Sequence, residues 1–250
     1  MKFVSIFILF TFAAIYSKSQ DLNMMVREAD RIESVPDEKG ALNAFREVLK
    51  IKPIQLYALC KCSELCCRIG KRQADNKKKE DYYEAARIYA ATALRVDSLS
   101  SDANCAMAMA LGGSTMNRKG KEKIATVRDI KKYADRAIQF DPNNFKAWHV
   151  LGRWYYEISN LNLFERAAVN MFYGGLPSAS IKDAIRAFER SASITSGFIL
   201  NYSELAKAYH RNDENNKAVN MLNTMLSIPE HTEDDKPIKT EGRKLLEKWR

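Results

Sequence analysis

The side chains best suited to chemistry in this sequence are cysteines and histidines, and neither set has the spacing of a catalytic or metal site. Four cysteines crowd one predicted helix, Cys60, Cys62, Cys66 and Cys67, and Cys105 lies apart. Thiols on a single helix diverge and rarely pair, and a metal site needs ligands that converge from at least two elements. We therefore expect these cysteines to act as small apolar residues packed between helices. A disulfide to Cys105 and a metal site are the alternatives.

The three histidines, His149, His210 and His231, are too far apart for any two to share a helical face at i, i+3 or i, i+4. The helical histidine pair that binds zinc is therefore absent. The sequence also has no Gly-rich phosphate loop and no Gly-x-Ser-x-Gly turn around a nucleophilic serine. This pattern predicts a non-enzymatic protein with no cofactor, metal or identified small-molecule substrate. An enzyme is the alternative if distant polar residues converge in one pocket.

The composition indicates a folded, helical protein. Of 250 residues, 46% are hydrophobic and 28% are charged, with only 10 glycines and 6 prolines. This is enough apolar material for one sizeable core. The scarcity of Gly and Pro favours helices over a turn-rich β architecture. The formal charge of +9 favours an acidic partner or surface.

The N-terminus has the organisation of a secretory signal peptide. One lysine precedes the apolar run from Phe3 to Tyr16, which at about 14 residues is short for a transmembrane helix. The segment Ser17-Lys18-Ser19 then supplies the small residues that signal peptidase reads. We predict a signal peptide over residues 1–19, cleaved near Ser19 or Gln20, and a secreted or periplasmic protein. An uncleaved N-terminal anchor is the alternative.

The rest of the chain contains a recurring helical motif. Its clearest copy is Trp148-x2-Leu151-Gly152-x2-Tyr155, and a second is Tyr202-x2-Leu205-Ala206-x2-Tyr209. Weaker copies begin at Asn104 and Leu56. This is the first-helix pattern of the tetratricopeptide repeat (TPR), which has a period of about 34 residues. The large residues fall on one helical face, and the small residue lets the partner helix approach closely.

The junctions between repeats are also alike. Second helices end in Val96-Asp97-Ser98 and in Phe140-Asp141-Pro142, and the next first-helix motif starts six residues after Ser98 and after Pro142. These features predict an all-α, TPR-like α-α superhelix of about four helix pairs in a single domain over residues 20–250. The predicted parts are a helical hairpin over 21–50, repeats at 53–98, 101–142, 145–196 and 199–230, and a capping helix at 232–249.

Repeats one, two and three are longer than the standard repeat between their two helices. Insertions at equivalent positions of a solenoid project from one edge, so the three inserts predict one decorated rim. The first two inserts are basic, with Arg68, Lys71, Arg72, Lys77, Lys78, Lys79, Arg118, Lys119, Lys121 and Lys123. Such a rim could attract anionic lipid, polysaccharide or acidic protein. The alternative is that these charges serve solubility.

The third insert, from about Glu157 to Ala179, differs because it contains a mostly apolar helix. Its apolar residues are Leu161, Leu163, Phe164, Ala168, Phe172 and Tyr173. Gly174-Gly175 and Pro177 end this helix sharply. We expect the helix to fold back over its own solenoid. Docking to a partner or to a membrane surface is the alternative.

The same residues resemble the family of regulators of microtubule dynamics, which are TPR-like. The resemblance is best from about Ala134 to Leu246 and rests on the repeat-three motif, the third insert and the stretch after Pro229. The carrying residues are Asp141-Pro142, Phe164-Glu165-Arg166, Met171 to Pro177, Lys182-Asp183-Ala184 with Phe188, and His231 to Lys236. The resemblance implies a TPR-like scaffold and, as in animal members, an association with microtubules, spindle poles and mitochondria.

The concave face of a TPR superhelix is lined by its first helices, which makes it the predicted binding groove. In repeats three and four its positions are Lys146, His149, Arg153, Tyr156, Ser203, Lys207, His210 and Arg211. Arg and Lys in a concave site suit an acidic peptide or a peptide C-terminus. A solvated charged face is the alternative. No helix-turn-helix, zinc finger or aromatic-studded sheet accompanies the charges, so nucleic acid is not an expected partner.

Two functions follow from these observations. The first is an exported, non-enzymatic scaffold that binds an acidic or C-terminal peptide segment in the basic groove. The second, which the resemblance implies, is a microtubule-associated regulator anchored in a membrane by its N-terminal segment.

Overall fold

The computed structural model describes residues 21–115 and 118–249, which fold into consecutive α-helices without a strand among them. The predicted signal peptide at residues 1–19 lies outside these residues. The helices are α1 (residues 21–34), α2 (Glu38–Ile51), α3 (Leu56–Lys71), α4 (Asn76–Val96), α5 (Ser101–Ser114), α6 (Gly120–Phe140), α7 (Phe145–Ser159), α8 (Leu163–Tyr173), α9 (Ile181–Ile194), α10 (Ile199–Arg211), α11 (Asn215–Ser227) and α12 (Asp235–Trp249). This architecture confirms the predicted all-α, TPR-like superhelix.

The pairing of helices follows the repeat motif. Helices α3 and α4, α5 and α6, α7 and α9, and α10 and α11 pack as pairs, and α12 packs on α10 and α11. Helices α1 and α2 form a hairpin ahead of the first pair. The first helices α3, α5, α7 and α10 succeed one another along one side, where each contacts the next.

The shared junction signature works through a side-chain turn. The Asp97 carboxylate accepts a hydrogen bond from the Leu99 backbone N–H, and the Asp141 carboxylate accepts one from the Asn143 N–H, both at 2.9 Å. An aspartate that bonds the backbone two residues on ends the helix in a fixed turn. The next helix therefore starts at the same offset each time, with Ser100 and Asn144 as its N-caps.

The small residue of the motif is required by close packing. A Cβ atom built on Gly152 of α7 would lie 2.6 Å from the Phe188 ring of α9, which is too close for any side chain. Leu151 and Trp154 are buried on the same helix, and the Trp154 indole N–H donates to the Val127 carbonyl of α6 at 2.7 Å. These contacts fix α7 against both neighbouring second helices.

The first insert consists mostly of the extended ends of α3 and α4 and not of a separate loop. Helix α3 continues to Lys71 and α4 begins at Asn76, so only four residues connect them. Lys77, Lys78 and Lys79 occupy the first turn of α4. Long helices formed because Lys, Glu and Arg are good helix formers at solvated positions.

The apolar third insert does not cover the solenoid as expected. Helix α8 has no buried residue, and it contacts the fold mainly along α6. Its large apolar side chains Leu163, Phe164, Met171 and Phe172 are exposed. The residues at either end of the insert do pack inward, since Leu161, Leu176 and Ala179 contact the core cluster around Trp154.

Candidate peptide-binding groove

Two cations and one buried carboxylate come together where α7 and α10, the first helices of repeats three and four, face each other. Glu204 of α10 is buried, and its carboxylate lies 3.2 Å from Nη1 of Arg153 on α7 and 3.0 Å from Nζ of Lys207. The side chains of Arg153 and Lys207 are 44% and 36% exposed. Glu204 therefore aligns two cations that still face solvent. We refer to Arg153, Lys207 and Glu204 as the cation pair and its buried carboxylate.

The charge on Glu204 is maintained by its neighbours. Burial alone would raise the pKa of this carboxyl, but the nearby charges of Arg153 and Lys207 outweigh burial and lower its pKa. Glu204 is thus ionised at neutral pH. Arg153 also reaches Glu157 at 3.2 Å through its other terminal nitrogen. An arginine has five N–H donors and a lysine three, so the pair keeps unused donors for an incoming carboxylate.

The neighbouring Arg211 and His210 serve packing more than binding. The Arg211 guanidinium lies 4.4 Å from the centre of the Tyr156 ring, and its Nη1 donates to the Tyr156 carbonyl at 3.0 Å. Its Nη2 also donates to the Ser159 hydroxyl. His210 stacks on Trp249 with ring centres 4.0 Å apart. These contacts join α10 to α7 and to the capping helix, and they leave Tyr156 half-buried beside the groove.

His149 and Ser203, two of the predicted groove residues, are buried. The His149 ring lies against Phe188 and Phe198, and its Nδ1 is 3.0 Å from the Asn201 side-chain oxygen. Burial lowers the pKa of His149 to about 4, so the ring is neutral at physiological pH. Both residues belong to the packing between α7 and α10 and offer no group to a ligand, which corrects their placement on the groove surface.

Lys146 is turned toward the first repeat. Its Nζ lies 2.5 Å from the Glu64 carboxylate of α3. The two line a recess of about 130 Å³ between α3, α5 and α7. The recess is lined by Tyr57, Cys60, Lys61, Glu64, Asp102, Cys105, Ala106, Met109 and Lys146. Burial would raise the pKa of Glu64, but Lys146, Arg68 and Lys61 lower it well below the ordinary value. Lys146 is therefore committed to an internal ion pair.

The cysteines are free thiols buried between helices, as the packing interpretation predicted. Burial raises the pKa of Cys62 to about 12 and that of Cys66 to about 11. Thiols of such high pKa are poor nucleophiles because they hold almost no thiolate at neutral pH. Within the described residues no group of three His, Cys, Asp or Glu side chains has metal-site geometry.

The basic end of α3 binds an acidic loop from the far end of the chain. Arg72 contacts Glu38 at the start of α2, Asp234 at 2.8 Å and Glu233 at 3.2 Å. Glu233 also accepts a hydrogen bond from the Glu38 backbone N–H at 2.9 Å. Arg68 lies 3.5 Å from the other Glu38 oxygen. We call Glu38, Arg68, Arg72, Glu233 and Asp234 the ionic clasp.

The clasp was not foreseen from sequence, and it corrects part of the basic rim. Arg68 and Arg72 are not free to meet an outside partner, because their charges face Glu38, which is only 1% exposed. Lys71 is more open, 3.9 Å from Asp234. Glu233 sits at the N-terminus of α2, where the helix dipole also favours a negative charge. The acidic stretch before the last helix thus connects the last part of the superhelix to the first part through ion pairs and a hydrogen bond.

Protein comparisons agree with the fold. The sequence profile of the family "Regulator of microtubule dynamics protein 1-3" matches residues 25–250. The chain is 28% identical over 193 residues to regulator of microtubule dynamics protein 1 of Caenorhabditis elegans, covering 77% of this chain and 84% of that protein. It is 24% identical over 234 residues to regulator of microtubule dynamics protein 3 of Xenopus laevis, covering 91% of this chain but only 50% of that protein.

Among solved structures, the fold is similar to that of a thermophilic TPR protein from Thermus thermophilus. The TM-score is 0.63 at 13% identity, and the match covers 91% of this chain and 98% of that one. At this identity the likeness concerns the fold alone. The helix pairs and their concave face define a TPR-like protein-interaction scaffold. The chain belongs to the family of regulators of microtubule dynamics proteins 1–3.

Proposed function

We propose that this chain is a non-enzymatic scaffold that binds a peptide through a carboxylate, either a free C-terminus or an acidic side chain, in the groove of repeats three and four. The observation that carries the proposal is the cation pair on its buried carboxylate. Arg153 and Lys207 come from two different helices, point to the same carboxylate and remain partly exposed. A preorganised pair loses little side-chain entropy when a ligand binds.

The proposal rests on three of the eight predicted groove residues. Arg153 and Lys207 supply the donors, and Tyr156 offers a half-buried ring beside them. Three other predicted groove residues join helices instead: Lys146 joins α7 to α3, Arg211 joins α10 to α7, and His210 joins α10 to α12. A carboxylate of the peptide would add charge-assisted hydrogen bonds to both cations, which are about twice as strong as neutral ones.

The test uses peptides that differ only at the C-terminus. A library of short peptides with free C-termini selects a binder, which is then made as the free acid, as the C-terminal amide and with its acidic residues changed to amides. We expect amidation or loss of the acidic residues to weaken binding at least about tenfold. The variant Arg153→Ala/Lys207→Ala should bind all versions equally weakly.

The matched control for that variant is Arg186→Ala/Lys217→Ala. Those two residues also form ion pairs with carboxylates three residues away, with Asp183 and Glu214, but they lie on the second helices α9 and α11. The control should bind like the unchanged chain. Equal affinity of the acid, the amide and the amide-substituted peptide would contradict the proposal.

Export is a separate part of the proposal. It is supported by the lysine, apolar run and small residues of the predicted signal peptide at residues 1–19. Within residues 21–115 and 118–249, no helix has the length and apolarity needed to cross a bilayer. N-terminal sequencing of the native protein tests export: a start near Ser19 or Gln20 is expected, and an intact Met1 would favour the anchored form.

A second candidate function is regulation of microtubule dynamics, the role after which the related proteins of Caenorhabditis elegans and Xenopus laevis are named. The microtubule role is favoured by exposed lysines such as Lys77 and Lys78 in the first turn of α4, since a basic surface attracts an acidic polymer. This role requires a protein that faces the cytoplasm. Co-sedimentation with microtubules, lost in Lys77→Glu/Lys78→Glu but kept in Arg153→Ala/Lys207→Ala, would support it over the peptide scaffold.

A further inference from the structure

We propose that α8 is an interfacial helix that docks this protein on an anionic membrane surface. Four large apolar side chains of α8 face solvent: Leu163 is 83% exposed, Phe164 88%, Met171 78% and Phe172 70%. Leu163 and Met171 lie on one i, i+4 row with Ala167, and Phe164 and Phe172 lie on the adjacent row with Ala168. The two rows form one continuous apolar face.

The helix is specified by its own sequence and does not depend on packing of that face. Asn162 caps it and forms a reciprocal capping box with Glu165. Its other end is closed by Gly174 in the left-handed conformation, with φ of 72°. Reciprocal capping at one end and a glycine at the other stabilise a short helix locally. A well-formed helix therefore presents an apolar face that the fold does not use.

The contacts of α8 with the rest of the chain turn the apolar face outward. Nε of Arg128 on α6 donates to the Gly175 carbonyl at 3.1 Å, and its Nη2 donates to the Tyr173 carbonyl. Leu161 and Leu176, at the two ends of the insert, pack against the core. The helix is thus attached through its ends and through the half-buried row of Arg166, Val169 and Tyr173. Leu163, Phe164, Met171 and Phe172 lie on the exposed rows.

A basic cluster adjoins the C-terminal end of α8. The Tyr173 hydroxyl lies beside Gly120, the first residue of α6. Lys119, Lys121 and Lys123 flank this glycine, and all three are exposed. The carboxylate between them, Glu122, is held by Arg118 at 2.7 Å. Positive charge therefore lies near the C-terminal end of α8.

An apolar helix face beside exposed lysines is the pattern of helices that lie in the headgroup region of anionic bilayers. A bilayer needs no complementary groove, and α8 presents a convex surface whose bulky side chains can insert between lipids. The charge of the lysines selects anionic lipid over neutral lipid. These two features favour a membrane over a protein partner, which would need a groove matched to α8.

The experiment is vesicle flotation with two forms of the protein, the full chain and the chain from Gln20 onward. The shorter chain lacks the apolar run of residues 3–16, so that run cannot cause its binding to vesicles. All core clusters and ion pairs described above lie within the shorter chain. Vesicles of phosphatidylcholine alone are compared with vesicles that also contain phosphatidylserine. We expect binding only to the phosphatidylserine vesicles, and weaker binding as the salt concentration rises.

Two variants separate the apolar and charged contributions. Phe164→Asp/Phe172→Asp should reduce vesicle binding at least about tenfold because it removes the inserting side chains. Lys119→Gln/Lys121→Gln/Lys123→Gln should reduce it about a hundredfold, since each lysine near an anionic surface contributes about fivefold. All altered side chains are exposed, so the helical circular dichroism and the melting temperature should stay unchanged.

Matched controls carry the same changes elsewhere. Ile54 and Leu99 are exposed apolar residues in turns between helices, and Ile54→Asp/Leu99→Asp should bind vesicles normally. Lys236, Lys244 and Lys248 are exposed on α12, and their change to Gln should have less effect than the change beside α8. Absence of binding to phosphatidylserine vesicles would overturn the proposal. Self-association of the chain that the α8 variants abolish, without vesicle binding, would also overturn it and assign the face to a second copy.

Discussion

The ionic clasp and the cation pair use the same residue types in two different ways. In the clasp, Arg68 and Arg72 face carboxylates from α2 and from the loop before α12, and Glu38 at its centre is buried. In the groove, Arg153 and Lys207 share one buried carboxylate and keep part of their surface in solvent. Charge alone therefore does not identify a binding surface in this superhelix. The two regions differ in the exposure of their cations, since the side chains of Arg68 and Arg72 are 16% and 24% exposed and those of Arg153 and Lys207 are 44% and 36% exposed.

The energetic consequence differs as well. Removing one partner from a buried ion network leaves an uncompensated charge and destabilises a protein strongly, and this cost falls as the partners become more exposed to solvent. Stability measurements should therefore respond to the clasp, and peptide-binding measurements to the groove. The following predictions test that division, starting with the largest effect.

Arg72→Ala should lower the free energy of unfolding by about 3 kcal/mol, the lower end of the range for a broken buried pair, because Arg72 is itself partly exposed. The variant leaves Glu38 buried beside Arg68 and frees the acidic loop. Urea denaturation monitored by circular dichroism measures the change. Arg186→Ala, which breaks an exposed pair with Asp183, should cost less than about 1 kcal/mol. Equal losses in the two variants would remove the distinction between clasp and surface pairs.

His149 is buried beside the proposed groove, and its low pKa predicts that the stability of the fold depends on pH. Its folded-state pKa of about 4 lies below the ordinary 6.5, so the unfolded chain binds the proton first as pH falls. Stability should be unaffected by this group above about pH 6.5 and should decrease by about 3 kcal/mol between pH 6.5 and pH 4. His149→Gln should remove that part of the slope in urea titrations at several pH values. An unchanged slope would mean that His149 is charged and open to the groove.

Gly152→Ala tests whether α7 is rigidly seated beside the groove. The added Cβ would overlap the Phe188 ring, so we expect a loss of about 2 kcal/mol in the free energy of unfolding. Because α7 carries Arg153, peptide affinity should fall too. Thermal melting and peptide titration measure both. A variant with unchanged stability would show that α7 and α9 have room to separate.

Gly112→Ala is the matched substitution at an open position and has the smallest expected effect. A Cβ atom on Gly112 of α5 would meet no atom within 4 Å among the described residues, apart from the backbone of its own helix and its chain neighbours. Alanine favours the helix over glycine, so stability should rise by about 0.5–1 kcal/mol. The pair of glycine variants should therefore change the melting temperature in opposite directions. A lower melting temperature in both variants would contradict the open position of Gly112.

The helix pairs could be predicted from sequence because their determinants are local. The Trp148 and Tyr202 motifs repeat at fixed offsets, and Asp97 and Asp141 end second helices through a turn of two residues. At the start of the capping helix, the Asp235 carboxylate accepts a hydrogen bond from the Thr232 N–H at 2.7 Å. Each of these features lies within a few residues of the structure it sets.

The binding surface could be predicted only in part. Helical periodicity assigned Arg153 and Lys207 to the groove positions, but it could not show that His149 is enclosed by Phe188 and Phe198. Glu204 was missed because a carboxylate in the middle of a first helix is unremarkable in sequence. The contact of Arg72 with Asp234 joins residues 162 positions apart, and no local pattern encodes such a closure.

The most direct test measures peptide affinity and stability together for one variant of the cation pair and one variant of the ionic clasp. A free-acid peptide selected as above is titrated calorimetrically into Arg153→Ala and into Arg72→Ala, and the free energy of unfolding is measured on the same samples. We expect Arg153→Ala to lose at least about tenfold in affinity and to lose less stability than Arg72→Ala, because the Arg153 side chain is 44% exposed and that of Arg72 is 24% exposed. Arg72→Ala should lose stability and keep its affinity at temperatures where it is folded. Weakened binding in Arg72→Ala with normal binding in Arg153→Ala would contradict the assignment of the groove.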